Sequence, residues 1–179
     1  MLTRRSAVFS ARIFWSIFGP RIDYPHGIVC LDTTKQMQQK VKGEHIALVA
    51  PSRPDRNLPF TEPLSISVRV SGFVQPLVLE LDSGINSPLL FDAGKLRPAA
   101  FSSTTLHSRG TDGASHAYAV LPPQDIQVGF HSLQQISFVA PVAGDQDIPD
   151  AEIDGVLPTA LFRSAFISYA GRYVVLEPW

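Results

Sequence analysis

A chain of 179 residues, 45% apolar and 17% charged, is long enough for one ordinary domain with an extension, and its composition excludes a disordered polymer. Fifteen Lys and Arg stand against 16 Asp and Glu, for a net charge of −1, and no basic cluster appears, so nucleic acid is not an expected partner. The single cysteine, Cys30, excludes a disulfide framework and any cysteine-based zinc site.

The first residues, "MLTRRSAVFSARIFWSIFG", begin basic and turn apolar in the manner of a signal peptide. Arg12 interrupts the run, and no small-x-small cleavage pattern follows. Cytoplasm, periplasm and secretion all stay open on this evidence. No stretch approaches the roughly 20 apolar residues of a membrane-spanning helix, so no integral membrane segment is expected. Residues 35 to 63 read as a connection carrying one short apolar strand, Ile46 to Val49, and "PSRPDRNLP" reads as a linker. The sequence therefore divides into an extension, 1–56, and a main domain, 57–179, of about 120 residues, an ordinary domain size.

From Leu64 the pattern becomes regular, and 15 prolines and 12 glycines favour short strands joined by turns. "LSISVRV" alternates: Leu64, Ile66, Val68 and Val70 fall on one face, Ser65, Ser67 and Arg69 on the other, as in a half-buried strand. Ser71-Gly72 is a turn, and "VQPLVLEL" is the returning strand. Val78 breaks its alternation, which predicts an inner half buried on both faces. The strand runs into Asp82-Ser83-Gly84, where a glycine able to take φ > 0 suits a tight exit. There Asp82 is lifted from the core, with turn N–H groups and Ser83 placed to hydrogen-bond its carboxylate. The same tripeptide also reads as an ordinary Asp-capped turn.

"STTLHSRGTDGASHAYAV" predicts a hairpin around Gly110-Thr111-Asp112-Gly113. A turn at Asp112-Gly113 sets His107 opposite Tyr118 and Arg109 opposite His116; a turn at Thr111-Asp112 sets His107 opposite His116. Two further strands are expected at Ile126 to Phe130 and Leu133 to Val139. A polar loop follows, then the short apolar strand Gly155-Val156-Leu157. "PTALFRSA" predicts a short helix opened by Pro158 or Thr159. A closing hairpin turns at Ala170-Gly171.

Two of these segments together resemble the aspartic peptidases of the retropepsin-like and pepsin-like family. "ISVRVSGFVQPLVLELDSGINSPLLF" looks like the strand, hairpin, strand and Asp-Thr/Ser-Gly turn that open such a lobe. "IDGVLPTALFRSAFISYAGRYVVLEP" is similar to its closing part, in which a strand threads behind the catalytic turn and a short helix and a hairpin follow. The matches stand in family order and span residues 64 to 178. The resemblance implies an all-β fold, a closed β-barrel lobe with a flap hairpin and one short helix near the C-terminus. It implies catalytic-turn roles for Asp82, Ser83 and Gly84, and substrate contacts at Asn86, Ser87 and the flap residue Tyr118. It implies peptide or protein substrates, no organic cofactor and no metal. Asp154 falls at a position that is not catalytic in the family. The family pattern has a second glycine where this chain has Pro158.

In that family two carboxylates share one proton, because like charges so close do not both ionise. This chain has one such turn. The resemblance thus implies a second aspartate from a homodimer partner or from a missing first lobe. "IVCLDTTKQ" does not supply it, since Thr34 stands where the turn needs glycine. Residues 13 to 32 instead resemble the closing hairpin of a lobe, and so are expected to be the remnant end of a first one. The alternative to an endopeptidase is a non-catalytic lobe that binds peptides or a partner chain; a third reading is an unrelated β fold in which Asp-Ser-Gly is accidental.

Overall fold

The computed structural model describes residues 18–49, 64–96, 104–109, 115–142 and 152–179. These form two compact units, one comprising the described residues up to Leu64 together with Thr159–Trp179, the other Ser65–Pro158. This division differs from the 1–56 and 57–179 segments read from the sequence, because the N-terminal hairpin pairs with the C-terminal one.

The first unit is a five-stranded sheet. β1 (Phe18–Asp23) and β2 (Ile28–Thr33) form an antiparallel hairpin, as do β13 (Ser164–Ser168) and β14 (Tyr173–Glu177). The two hairpins join through their first strands, with Arg21 opposite Phe166, and the order is β2-β1-β13-β14-β3, where β3 is Ile46–Ala47. Met37, Phe166, Tyr173 and Val175 form a buried cluster with Val41 against it. Met37 lies on α1 (Thr34–Lys40), a helix that the sequence reading treats as part of a connection. Its start is encoded by Thr33, whose Oγ1 accepts from the Gln36 N–H (3.3 Å) and donates to Gln36 Oε1 (2.6 Å), while the Thr33 N–H donates to Asp32 Oδ1 (2.8 Å).

The second unit is a nine-stranded sheet of order β10-β9-β4-β5-β12-β6-β11-β8-β7. Its members are β4 (Ser65–Val70), β5 (Leu77–Asp82), β6 (Leu89–Leu90), β7 (Thr105–Arg109), β8 (Ser115–Val120), β9 (Gln124–Val128), β10 (His131–Ile136), β11 (Val139–Pro141) and β12 (Gly155–Pro158). The alternation read in β4 holds from Ile66 onward: Ile66, Val68 and Val70 are buried, while Ser67 and Arg69 are exposed; Ser65, read on the polar face, is buried. In β5 only Leu77, Leu79 and Leu81 are buried; Val78, Glu80 and Asp82 are half-buried, so the strand is not dry on both faces as the sequence suggests. Each such leucine contributes roughly 2 kcal/mol of burial.

The fold is thus predominantly β, but both sheets are open and the expected closed barrel is not formed among the described residues. Closure requires the end strands to pair. The end strand β10 instead carries a bulge and pairs on one side only: its register shifts between Leu133 and Ile136, Gln135 takes φ 57, and its N–H donates to Asp125 Oδ1 (3.0 Å). The expected strand Leu133 to Val139 is two strands, β10 ending at Ile136 and β11 beginning at Val139. The expected short helix is a single 3₁₀ turn, Thr159–Leu161, with Phe162 N–H donating to Thr159 O (3.1 Å). Pro158 still belongs to β12 and Ser164 already to β13, which leaves room for only one tight turn. Among the described residues no helix is long and apolar enough to cross a membrane.

Candidate active site

β5 builds the site. Its odd-numbered leucines anchor one face in the core, and period-two alternation sets Val78, Glu80 and Asp82 on the other. Asp82 is the last residue of the strand. Its Oδ1 accepts from the Gly84 N–H at 2.7 Å, so the turn folds back on the carboxylate and fixes one of its oxygens. Gly84 does not adopt a positive φ, contrary to the reason the sequence offers for it. The glycine is favoured by closeness: a Cβ there would lie 3.2 Å from Asp82 Oδ1.

Beside β5 runs β12. It lies between β5 and β6, parallel to the first and antiparallel to the second. Leu157 pairs with Leu81, and Pro158 is in register with Asp82. The crossing is tight at Gly155, where a Cβ would come within 2.0 Å of Leu89 O and 3.0 Å of Leu90 Cα. One residue earlier, Asp154 clasps the strands together. Its N–H donates to Val78 O (2.7 Å), its Oδ2 accepts from Val78 N–H (2.8 Å), and its Oδ1 pairs with Lys95 Nζ (3.0 Å). The hydrogen bond to Asp154, with its negative charge, holds the Lys95 ammonium above its ordinary value. Asp154 is a fastening between strands, at the end of β12 away from Asp82.

Asp82 ends β5, Ser83, Gly84, Asn86 and Ser87 all lie on the connection from β5 to β6, and Ser83, Asn86 and Ser87 are exposed. Tyr118 is not brought beside them by the sheet. It sits on β8, opposite Leu106 and Pro141, and β12, β6 and β11 intervene between β8 and β5. Four strand spacings amount to about 19 Å along the sheet. The predicted flap tip, Gly110 to Gly113, lies outside the described residues. Its stems pair in neither of the two registers read from the sequence: His107 is opposite Ala117 and Ser108 opposite His116. A loop of odd length sets this intermediate register and puts His107 and His116 on opposite faces of the hairpin.

One residue of this region escapes the sequence reading. Glu80 stands two residues before Asp82 on the same face of β5. Burial pushes its carboxyl above the ordinary range, and the nearby Asp82 charge pushes it further. The signal is present in "LVLELD", as a carboxylate inside an apolar strand at period-two spacing from the next one. Among the described residues no group of three or more His, Cys, Asp or Glu gathers in a way that suits a metal ion. No protein-family model matches the chain, and no curated protein matches it in sequence.

Proposed function

We propose that this chain is a retropepsin-like lobe of an aspartic-type endopeptidase, in which Asp82 activates a water against a peptide bond. The observation that supports the reading is the strand crossing: β12 passes between β5 and β6, with Leu157 paired to Leu81 and Pro158 level with Asp82. Such a crossing gives the turn a rigid, dry backing and leaves the carboxylate half-buried at its front. One Asp82 oxygen is held by the Gly84 N–H. Ser83 lies beside it to orient the carboxylate, and an extended substrate across Asn86 and Ser87 would add strand-like hydrogen bonds, with Tyr118 on the flap hairpin. The water needs one ionised and one protonated carboxyl group, the first as base and the second as acid toward the carbonyl. The second aspartate comes from another copy of the chain or from a first lobe.

The test is hydrolysis of unfolded protein and of a mixed peptide library between about pH 3 and 7, a range set by ordinary carboxyl pKa values. Asp82→Asn is expected to lower turnover at least about 100-fold, as loss of a general base does, while leaving peptide binding intact. Equal turnover by the variant overturns the reading. A second reading, a lobe that binds peptides without cutting them, is favoured by the single Asp-Ser-Gly turn in the chain. Binding without hydrolysis by the unaltered chain at every pH and concentration would establish it.

A further inference from the structure

The two open sheets have four end strands among the described residues: β2 and β3 in one, β10 and β7 in the other. An exposed strand edge invites pairing with a further strand, and proteins commonly blunt it by shortness, a bulge or polar residues. β3 is two residues long, β10 carries the bulge at Gln135, and β7, Thr105–Arg109, holds one apolar residue, Leu106, among polar ones. β2 has none of these protections. Its six residues pair with β1 in unbroken register, and Ile28, Val29, Cys30 and Leu31 follow one another with no proline, glycine or charge between them. Ile28 is 49%, Val29 64% and Leu31 54% exposed, and Cys30 is exposed as well. Side chains alternate along a strand, so consecutive apolar residues make this edge apolar on both faces of the sheet.

The hydrogen bonds of β1 fix what the edge offers. Tyr24 N–H donates to Arg163 O (3.1 Å), one step beyond the Asp23–Ser164 pair, so β1 turns its even-numbered residues to β13 and its odd-numbered ones to β2. Ile28, Cys30 and Asp32, opposite Asp23, Arg21 and Gly19, therefore bond inward. Val29 and Leu31 direct their N–H and C=O groups to the outer edge. A strand that completes this edge bonds to those two residues and needs apolar side chains on both of its own faces. β2 is itself such a strand. Run antiparallel about a two-fold axis at Cys30, it sets Val29 of each copy opposite Leu31 of the other as hydrogen-bonded pairs, and the two Cys30 residues opposite one another. Charge permits the approach. Asp32 is held by Lys40 Nζ (2.7 Å) and the Thr33 N–H (2.8 Å), and Asp23 is bonded to His26 Nδ1 (2.8 Å), so both carboxylates near the ends of the edge are partnered within their own copy.

We propose that β2 pairs with β2 of a second copy of this chain and joins two five-stranded sheets into one continuous sheet. The two-fold pairing uses up both open edges, and the β3 strands left at the ends are too short to extend it, so association stops at two chains. The proposal stands apart from the reading of Asp82 and assigns that residue no partner.

The experiment is light scattering and amide hydrogen exchange on the full chain over a range of concentrations, in the unaltered protein, Val29→Pro and Leu31→Lys. Val29→Pro removes an outward N–H and leaves the bonds between β1 and β2 in place, a position where an edge strand tolerates proline. Leu31→Lys sets a charge opposite Val29 of the other copy. The unaltered chain is expected to form a dimer in which the Val29 and Leu31 amides become protected as concentration rises. Each variant is expected to raise the dissociation constant at least about tenfold. Cys30 reports the register, because the Cα atoms of a non-hydrogen-bonded pair lie about 4.5 Å apart, within the range a disulfide spans. Diamide, which takes up the two thiol hydrogens, is expected to link unaltered chains through Cys30 and far fewer chains of either variant. Amide spectra check that each variant is folded, and Leu31→Lys carries the comparison where Val29→Pro is not. A monomer at every concentration overturns the proposal, and so does a dimer that neither variant weakens. Edge amides protected equally at all concentrations mean that a segment of the same chain or a bound peptide covers β2, which overturns the second copy. A dimer weakened by the variants but not linked through Cys30 overturns the register.

Discussion

Three carboxylates near β5 take different work from their surroundings. Asp82 ends a strand, Glu80 sits within it, and Asp154 fastens it to its neighbour. The sequence makes Asp82 legible because Asp-Ser-Gly after an apolar strand is a local pattern. It gives Asp154 no role beyond a position that is not catalytic in the family it resembles, since the Asp154 clasp depends on Val78, 76 positions earlier. Replacing Asp154 by Ala strips the Val78 N–H of its acceptor and Lys95 of its ion pair. The ion pair is partly exposed, so the hydrogen bond dominates the cost. Asp154→Ala is expected to destabilise the protein by about 2 kcal/mol, the typical value for a hydrogen bond to a charged group, as measured by the urea midpoint. The proposed turnover, per folded molecule, should be unchanged. A variant as stable as the parent would mean that the clasp contributes nothing, and lost turnover at full stability would move Asp154 into the chemistry.

At the scale of elements, the strands most legible in sequence are those with one dry face, such as β4, where alternation alone gives the answer. The less legible elements are decided by long-range pairing or by a cap. The α1 helix turns on Thr33 and Gln36, a spacing visible in the sequence but obscured by the polar residues around it. The bulge within β10 turns on Gln135, a residue with no marked turn preference that accepts a positive φ because Asp125 captures its N–H. The crossing of β12 between β5 and β6 is the element on which the site depends, and Gly155 is its narrowest point. A methyl group there would meet the backbone of Leu89 and Leu90, which has no free rotamer with which to yield. Gly155→Ala is therefore expected to cost on the order of 3 kcal/mol, the upper part of the usual overpacking range. The loss should show in thermal unfolding, and the proposed peptidase activity should fall with it. A cost below about 0.5 kcal/mol, the range of an ordinary surface substitution, would mean that β12 and β6 do not approach so closely in solution.

At the scale of the whole molecule, the turn-rich composition makes the predominance of strands legible, but not the two units. Nothing in residues 18 to 33 announces that β1 will pair with a strand some 140 positions later, because pairing partners are chosen by tertiary structure rather than by local preference. The pairing also bears on the proposed function. A chain with one Asp-Ser-Gly turn acts as a peptidase only where a second carboxyl group reaches the same water, and mixing separates the sources. The unaltered chain is mixed with Asp82→Asn, allowed to exchange, and assayed at fixed amounts of the former. If two copies share each site, random pairing leaves about half of the unaltered chains in fully competent dimers at a one-to-one ratio, by the symmetry of a twofold assembly. Turnover per unaltered chain then falls to about half, and to about one tenth at a ninefold excess of the variant. If the chain needs no second copy, turnover per unaltered chain stays constant at every ratio. Light scattering across the same concentrations links either result to mass: a decline should accompany a dimer, and a constant value a monomer. A constant value with a clear dimer would mean that the two Asp82 residues do not face one another, and the homodimer version of the site would fall.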